Sequence, residues 1–187
     1  VSVAELVFGQ MIALARHTLE ADRAVREDRW NQYLRYIGTE LAGKTVGIIG
    51  MGNIGTRLAI RARAFEMVFM VYDPYNPPTT GLQYVDHCVG NVELGKMNVY
   101  ESLDELLAEA DFVTLHCPLT DETDGMVGER ELALMKPSAY LINAARGGIV
   151  NEEALCRALQ HKKIAGAALD VAANEPPTKD HPLFQLE

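Results

Sequence analysis

Three glycines and an aspartate supply the first chemistry visible in this chain. Gly50, Gly52 and Gly55 stand in the run GMGNIG, directly after the short apolar stretch Val46, Gly47, Ile48 and Ile49. At this spacing the first glycine permits a tight turn. The second lacks a Cβ, so backbone can approach a pyrophosphate. The third lets a following helix pack close to the strand. A helix starting there presents free N–H groups and a partial positive charge to phosphate oxygens. Asp73 closes a second apolar run, Val68 to Tyr72. A carboxylate about twenty residues beyond the glycines accepts hydrogen bonds from adenosine ribose hydroxyls. It repels a 2′-phosphate, which favours NAD over NADP. Strand, glycine turn, helix, strand and acid together read as a dinucleotide site.

Those residues must be held by a larger frame. The spacing predicts a long amphipathic helix from the N-terminus toward Trp30, with Leu6, Val7, Gln10, Leu14 and His17 on one face and a Ser2–Glu5 capping box. A helix is expected over Thr56 to Phe65. Residues 79–100 read as a loop with one short strand near Asn98 to Tyr100. Ser102 is placed as the cap of the next helix, with Glu105 completing a capping box. Strands follow at Phe112 to Leu115, Ala139 to Ile142 and Ile164 to Leu169, with helices at Glu129 to Met135 and Asn151 to Gln160. Short apolar strands alternating with helices give a parallel sheet covered on both faces. Right-handed crossovers make it a doubly wound, three-layer α/β/α Rossmann fold. Functional residues should then collect at the carboxyl ends of the strands: Gly50 to Ile54, Asp73, His116 to Pro118, Asn143 to Arg146 and Asp170 to Glu175.

Composition narrows the function. A chain of 187 residues fits one dinucleotide-binding domain, with 1–37 as entering helix and linker and 41–187 as the core. The net charge of −9 argues against a general nucleic-acid binder and against attraction to anionic membranes. The longest uncharged run near the start, Leu6 to Ala15, is too short to span a bilayer. Cys88, Cys117 and Cys156 are odd in number and widely spaced, with no CxxC and no metal-ligand cluster. Free thiols in a reducing, cytoplasmic compartment are expected.

Longer stretches carry a more specific signal. AGKTVGIIGMGNIG, LLAEADFVTLHCPLTDETDGMV (106–127) and MKPSAYLINAARGGIVN (135–151) resemble, in order, the signatures of the D-isomer-specific 2-hydroxyacid dehydrogenases, a group that includes D-3-phosphoglycerate dehydrogenase. SVAELVFGQMIALAR is similar to the family's helix entering the coenzyme domain. The resemblance implies hydride exchange between NAD(H) and a D-2-hydroxy or 2-keto acid, D-3-phosphoglycerate among the candidates. It places Asn53 and Ile54 against the pyrophosphate and Asp73 on the ribose. Cys117 and Pro118 line the cofactor groove, with Thr123 nearby. Ala144 and Ala145 touch the nicotinamide half, and Asp170 its carboxamide. Arg146 binds the substrate carboxylate and keto oxygen, and Glu175 pairs with a catalytic histidine. A guanidinium fork suits a planar 2-keto carboxylate through two charge-assisted hydrogen bonds. A carboxylate beside a histidine stabilises the imidazolium that donates a proton. Formate dehydrogenases resemble this group but carry a glutamine at the Glu175 position, which disfavours that branch.

The resemblance places the histidine donor in a Pro-His motif beyond Glu187. The five histidines present are poor substitutes: His116 is at most a contributor to the shape of the groove, and His181 is a poor proton donor. The family's substrate domain is likewise expected to lie outside this chain, which reads as an excised fragment that binds NAD but turns over little substrate. An alternative is an NAD-sensing protein similar to co-repressors of the same family. A homodimer is expected, with Trp30, Tyr33 and Tyr36 either anchoring its interface or packing on their own domain.

Overall fold

The computed structural model describes residues 1–75, 83–86, 90–93 and 98–186, the two segments 83–86 and 90–93 without their side chains. His87, Cys88 and the parts of the 79–100 reading at 79–82, 87–89 and 94–97 lie outside the described residues.

Ser2–Arg16 forms α1 and Thr18–Arg26 forms α2, followed by a 3-10 turn at Trp30–Tyr36. The single long helix is therefore interrupted. His17 adopts a left-handed conformation (φ 49°, ψ 38°) that ends α1. The Thr39 N–H takes the Ala15 carbonyl at 2.7 Å, a carbonyl that a continuing helix would give to Leu19. This tertiary contact has no signature in helical periodicity. The buried stripe of α1 is Ala4, Val7, Phe8, Met11 and Ala15, while Leu6 is exposed. The Ser2–Glu5 box does not form: Val1 is the N-cap without a side-chain bond, and Glu5 reaches Arg61 at 2.9 Å.

The alternating part follows as expected in kind: β1 (Thr45–Ile49), α3 (Asn53–Ala64), β2 (Val68–Tyr72), β3 (Gln83–Asp86), β4 (Gly90–Glu93), β5 (Asn98–Val99), α4 (Leu103–Glu109), β6 (Phe112–Leu115), α5 (Glu129–Leu134), β7 (Tyr140–Asn143), α6 (Glu152–Gln160) and β8 (Gly166–Leu169). The hairpin β3–β4 is an addition to the sequence reading, which has one strand in this region. QYVD and GNVE are too short and too polar for periodicity to register; each is a strand through pairing with the other. Ser102 does cap α4 in position but makes no side-chain cap bond, so the expected Ser102–Glu105 box is absent. Half of such a box is found before α5 instead, where the Gly128 N–H donates to Glu131 at 3.1 Å.

Six strands form one sheet in the order β5-β2-β1-β6-β7-β8, every pair parallel. Strand residues alternate between two cores. Val46, Ile48, Val71, Phe112 and Ile142 join α1 and α3 on one face through Val7, Met11 and Leu58. Ile49, Met70, Val113, Leu115 and Leu141 join α4, α5 and α6 on the other through Leu106, Leu132 and Leu155. The result is the expected three-layer α/β/α arrangement. Chain order reverses at β1, whose neighbours β2 and β6 run on from opposite sides, so the loops after β1, β2 and β6 open one crevice. Among the described residues no helix is long and apolar enough to cross a membrane.

Candidate functional site

The glycine turn is built by backbone. Gly50 has φ +94°, and its N–H donates to the Tyr72 carbonyl at 2.9 Å, tying the turn to the end of β2. A Cβ on Gly55 would lie 2.2 Å from the Gly50 carbonyl oxygen, so α3 can start this close to the strand only with glycine there. A Cβ on Gly52 would meet nothing within 4 Å. Gly52 is also the N-cap of α3 and makes no side-chain cap bond. Open space thus lies before the first-turn N–H groups of Asn53 and Ile54, the arrangement a pyrophosphate requires.

Asp73 sits against this turn. Its Oδ2 accepts the Met51 N–H at 2.8 Å and its Oδ1 accepts the Tyr75 N–H at 3.1 Å. On the other bank, the loop after β6 packs on Gly50: a Cβ there would stand 2.9 Å from the His116 carbonyl carbon and 3.0 Å from the Cys117 nitrogen. Burial, with the Asp73 charge adding to it, holds the Cys117 thiol above its ordinary pKa. Thr123 is a turn former here. Its Oγ1 accepts the Thr120 N–H at 2.8 Å and donates to the Pro118 carbonyl at 2.7 Å, which fixes the loop that carries the exposed Pro118. His116 is more deeply set than a wall residue. Its Nε2 lies 2.9 Å from the buried Thr114 hydroxyl, its Nδ1 is buried without a partner among the described residues, and burial pushes its pKa down to about 4.

The arginine turn is braced by Asn143, buried at the end of β7. Its Nδ2 donates to the Arg146 carbonyl at 2.9 Å and its Oδ1 accepts the Ala145 N–H at 3.1 Å. The Asp170 N–H donates to the Asn143 carbonyl at 2.9 Å, which joins the turn to the end of β8. Ala144 and Ala145 are buried, whereas Arg146 is exposed on the edge of the sheet. A Cβ on Gly147 would lie 1.9 Å from the Ala172 carbonyl oxygen. The Arg146 turn and the segment carrying Glu175 therefore abut backbone to backbone. The Glu175 Oε1 accepts the Ala172 N–H at 3.0 Å, and the His181 ring turns to Glu152 at 2.9 Å. Sequence reading missed Asn143 as the brace, Thr114 beside His116, and Glu152; only Asn143, a polar residue ending a buried strand, left a signal that could have been used.

A parallel sheet with a glycine turn at its switch point and an acid after the next strand defines a dinucleotide-binding domain. The chain belongs to the family described as "D-isomer specific 2-hydroxyacid dehydrogenase, NAD binding domain", whose model matches residues 8–187. It is 44% identical, over all of its length, to a D-3-phosphoglycerate dehydrogenase of Methanocaldococcus jannaschii and covers 33% of that protein. An NAD-dependent formate dehydrogenase from Staphylococcus aureus, solved with NAD, superposes with a TM-score of 0.84 at 35% identity, over 99% of this chain and 52% of that one. A D-lactate dehydrogenase from Aquifex aeolicus, solved with NAD and lactic acid, gives 0.80 at 34% identity, over 98% and 54%. The chain thus spans between a third and about half the length of these relatives. NAD is the cofactor of this domain, and the open glycine turn fits it. The sensor reading gains no support from these relatives.

Proposed function

We propose that this chain is the coenzyme half of an NAD-dependent oxidoreductase acting on a D-2-hydroxy acid or the matching 2-keto acid, D-3-phosphoglycerate being the substrate its 44% identical relative favours. The observation that carries the proposal is the close approach of Gly147 to Ala172, which sets the Arg146 turn beside the Glu175 segment on the edge that also holds the glycine turn. When bound, NAD accepts or supplies the hydride. The chain's own residues do the rest. First-turn N–H groups at Asn53 and Ile54 hold the pyrophosphate, and Asp73 accepts the ribose hydroxyls. Cys117, Pro118 and the turn held by Thr123 wall the adenosine side. Ala144, Ala145 and Asp170 face the nicotinamide half. Arg146 binds the carboxylate and carbonyl oxygen of the acid through its fork. Glu175 stabilises the cationic form of a histidine proton donor.

Calorimetric titration tests the cofactor side. NADH should bind at least roughly tenfold more tightly than NADPH, and Asp73→Ala should narrow that gap. Equal affinity for the two cofactors would remove Asp73 from its role. The protein that carries this domain should also oxidise NADH with 2-keto acids in the cytoplasm, and Arg146→Lys should raise the KM of the acid.

A homodimer through the N-terminal face completes the proposal. Trp30 and Tyr33 are 68% and 60% exposed, so neither packs on its own domain, and Leu34 and Ile37 beside them are exposed too. Aromatic and aliphatic side chains clustered on one surface are typical interface anchors. Sedimentation should show a dimer that Trp30→Ala weakens; a monomer at all concentrations would refute it.

A further inference from the structure

The segment from Val171 to His181 carries Glu175, yet little apolar packing holds its middle. A cleft of about 870 Å³ separates it from the start of α6, with Ala173, Asn174 and His181 on one wall and Glu152 and Cys156 on the other. The segment is fixed at its two ends, by the Ala172 carbonyl against Gly147 and by Leu183 on the core. Between those ends Glu152 spans the cleft. Its Oε1 accepts the Ala173 N–H at 2.7 Å, and its Oε2 meets the His181 Nε2 at 2.9 Å. Both side chains are sheltered, with exposures of 15% and 22%, so these bonds are less screened than a surface pair. Glu152 follows Asn151, whose Oδ1 accepts the Ala154 N–H at 2.9 Å and caps α6. The helix start is therefore rigid, and Glu152 presents a fixed pair of acceptors. An acid in the first turn also suits the helix dipole.

We infer that Glu152 is a positioning residue: it clasps the Ala173 N–H and the His181 ring and so holds the 170–181 segment in place to close on the nicotinamide half of the cofactor. The inference rests on the assignment of Ala144, Ala145 and Asp170 to that half. It adds a residue outside the groove whose effect is confined to one end of the ligand. The adenosine half is held by loops after β1, β2 and β6, which Glu152 does not touch.

Isothermal titration with NADH and with ADP-ribose, which lacks the nicotinamide, separates these halves. Glu152→Ala should weaken NADH by about threefold to tenfold and leave ADP-ribose unchanged. Glu152→Gln, which still accepts the Ala173 N–H, should recover most of the loss. Equal weakening of both ligands, or no change in either, overturns the clasp. Wild-type protein that binds NADH no better than ADP-ribose overturns the nicotinamide assignment itself, and that failure is visible before any substitution is made. Should Glu152→Ala fail to fold, His181→Ala carries the same test, since it removes one of the two contacts and should give a smaller loss in NADH alone. Amide exchange reads the clasp directly: Ala173 should lose protection in Glu152→Ala, and retained protection would overturn it.

Discussion

The two halves of the groove are made in different ways. The half proposed for adenosine has a local centre, the glycine turn, to which the loops after β2 and β6 add Asp73 and Cys117. Gly50, Gly55 and the start of α3 lie within one strand–turn–helix unit, and the tightest contact, Gly55 to the Gly50 carbonyl, is made inside it. The half proposed for the nicotinamide is assembled from three separate pieces: the turn after β7, the start of α6 and the segment after β8. Its tightest contact, Gly147 to the Ala172 carbonyl, joins two of them. A local turn is fixed as soon as its unit folds. An assembled site is fixed only when the sheet and its helices are complete.

The sharpest way to break this contrast is to add one methyl group to each half. Gly55→Ala and Gly147→Ala each force a Cβ against a backbone oxygen that cannot turn aside, at 2.2 Å and 1.9 Å respectively. Each should cost about 2–4 kcal/mol in urea denaturation. Their binding effects should part: Gly55→Ala abolishes ADP-ribose binding, whereas Gly147→Ala spares it. Next in size is the response to acid, which belongs to the adenosine side. His116 is buried neutral, with its pKa pushed down from 6.5 to about 4. The unfolded chain therefore binds the extra proton first, and stability present above pH 6.5 is lost as pH falls toward 4, by roughly 2–3 kcal/mol. His116→Asn should flatten that part of the stability-versus-pH curve; an unchanged slope would show that another group titrates there. The smallest effect is expected far from both halves. Arg130 pairs with Asp104 and Glu131 at the surface, and Arg130→Ala should leave the denaturation midpoint unchanged.

The same contrast explains what was legible in the sequence. The glycine turn could be read because its parts are neighbours in the chain and each spacing has a steric reason. The doubly wound parallel sheet and the strand ends at which Asp73, Cys117, Arg146 and Asp170 stand followed from the alternation of strands and helices. What was hidden depends on distant partners. The break at His17 rests on Thr39, the bracing of the Arg146 turn on a buried Asn143, and the clasp on His181 far along the chain from Glu152. The caps read at Ser2 and Ser102 have suitable residue types but make no side-chain cap bond; at the first, Glu5 pairs with Arg61 instead.

The strand order also bears on how the domain emerges during synthesis. β1 and β2 are made first and pair through one short crossover, leaving the far side of β1 open. From there each later strand of that wing meets an edge already present: β6 joins β1, β7 joins β6, and β8 joins β7, in the order in which they leave the ribosome. No strand on that side waits for a partner still to be translated. A parallel sheet, ordinarily slow to form because its pairings are distant in sequence, can in this layout grow outward at the pace of translation.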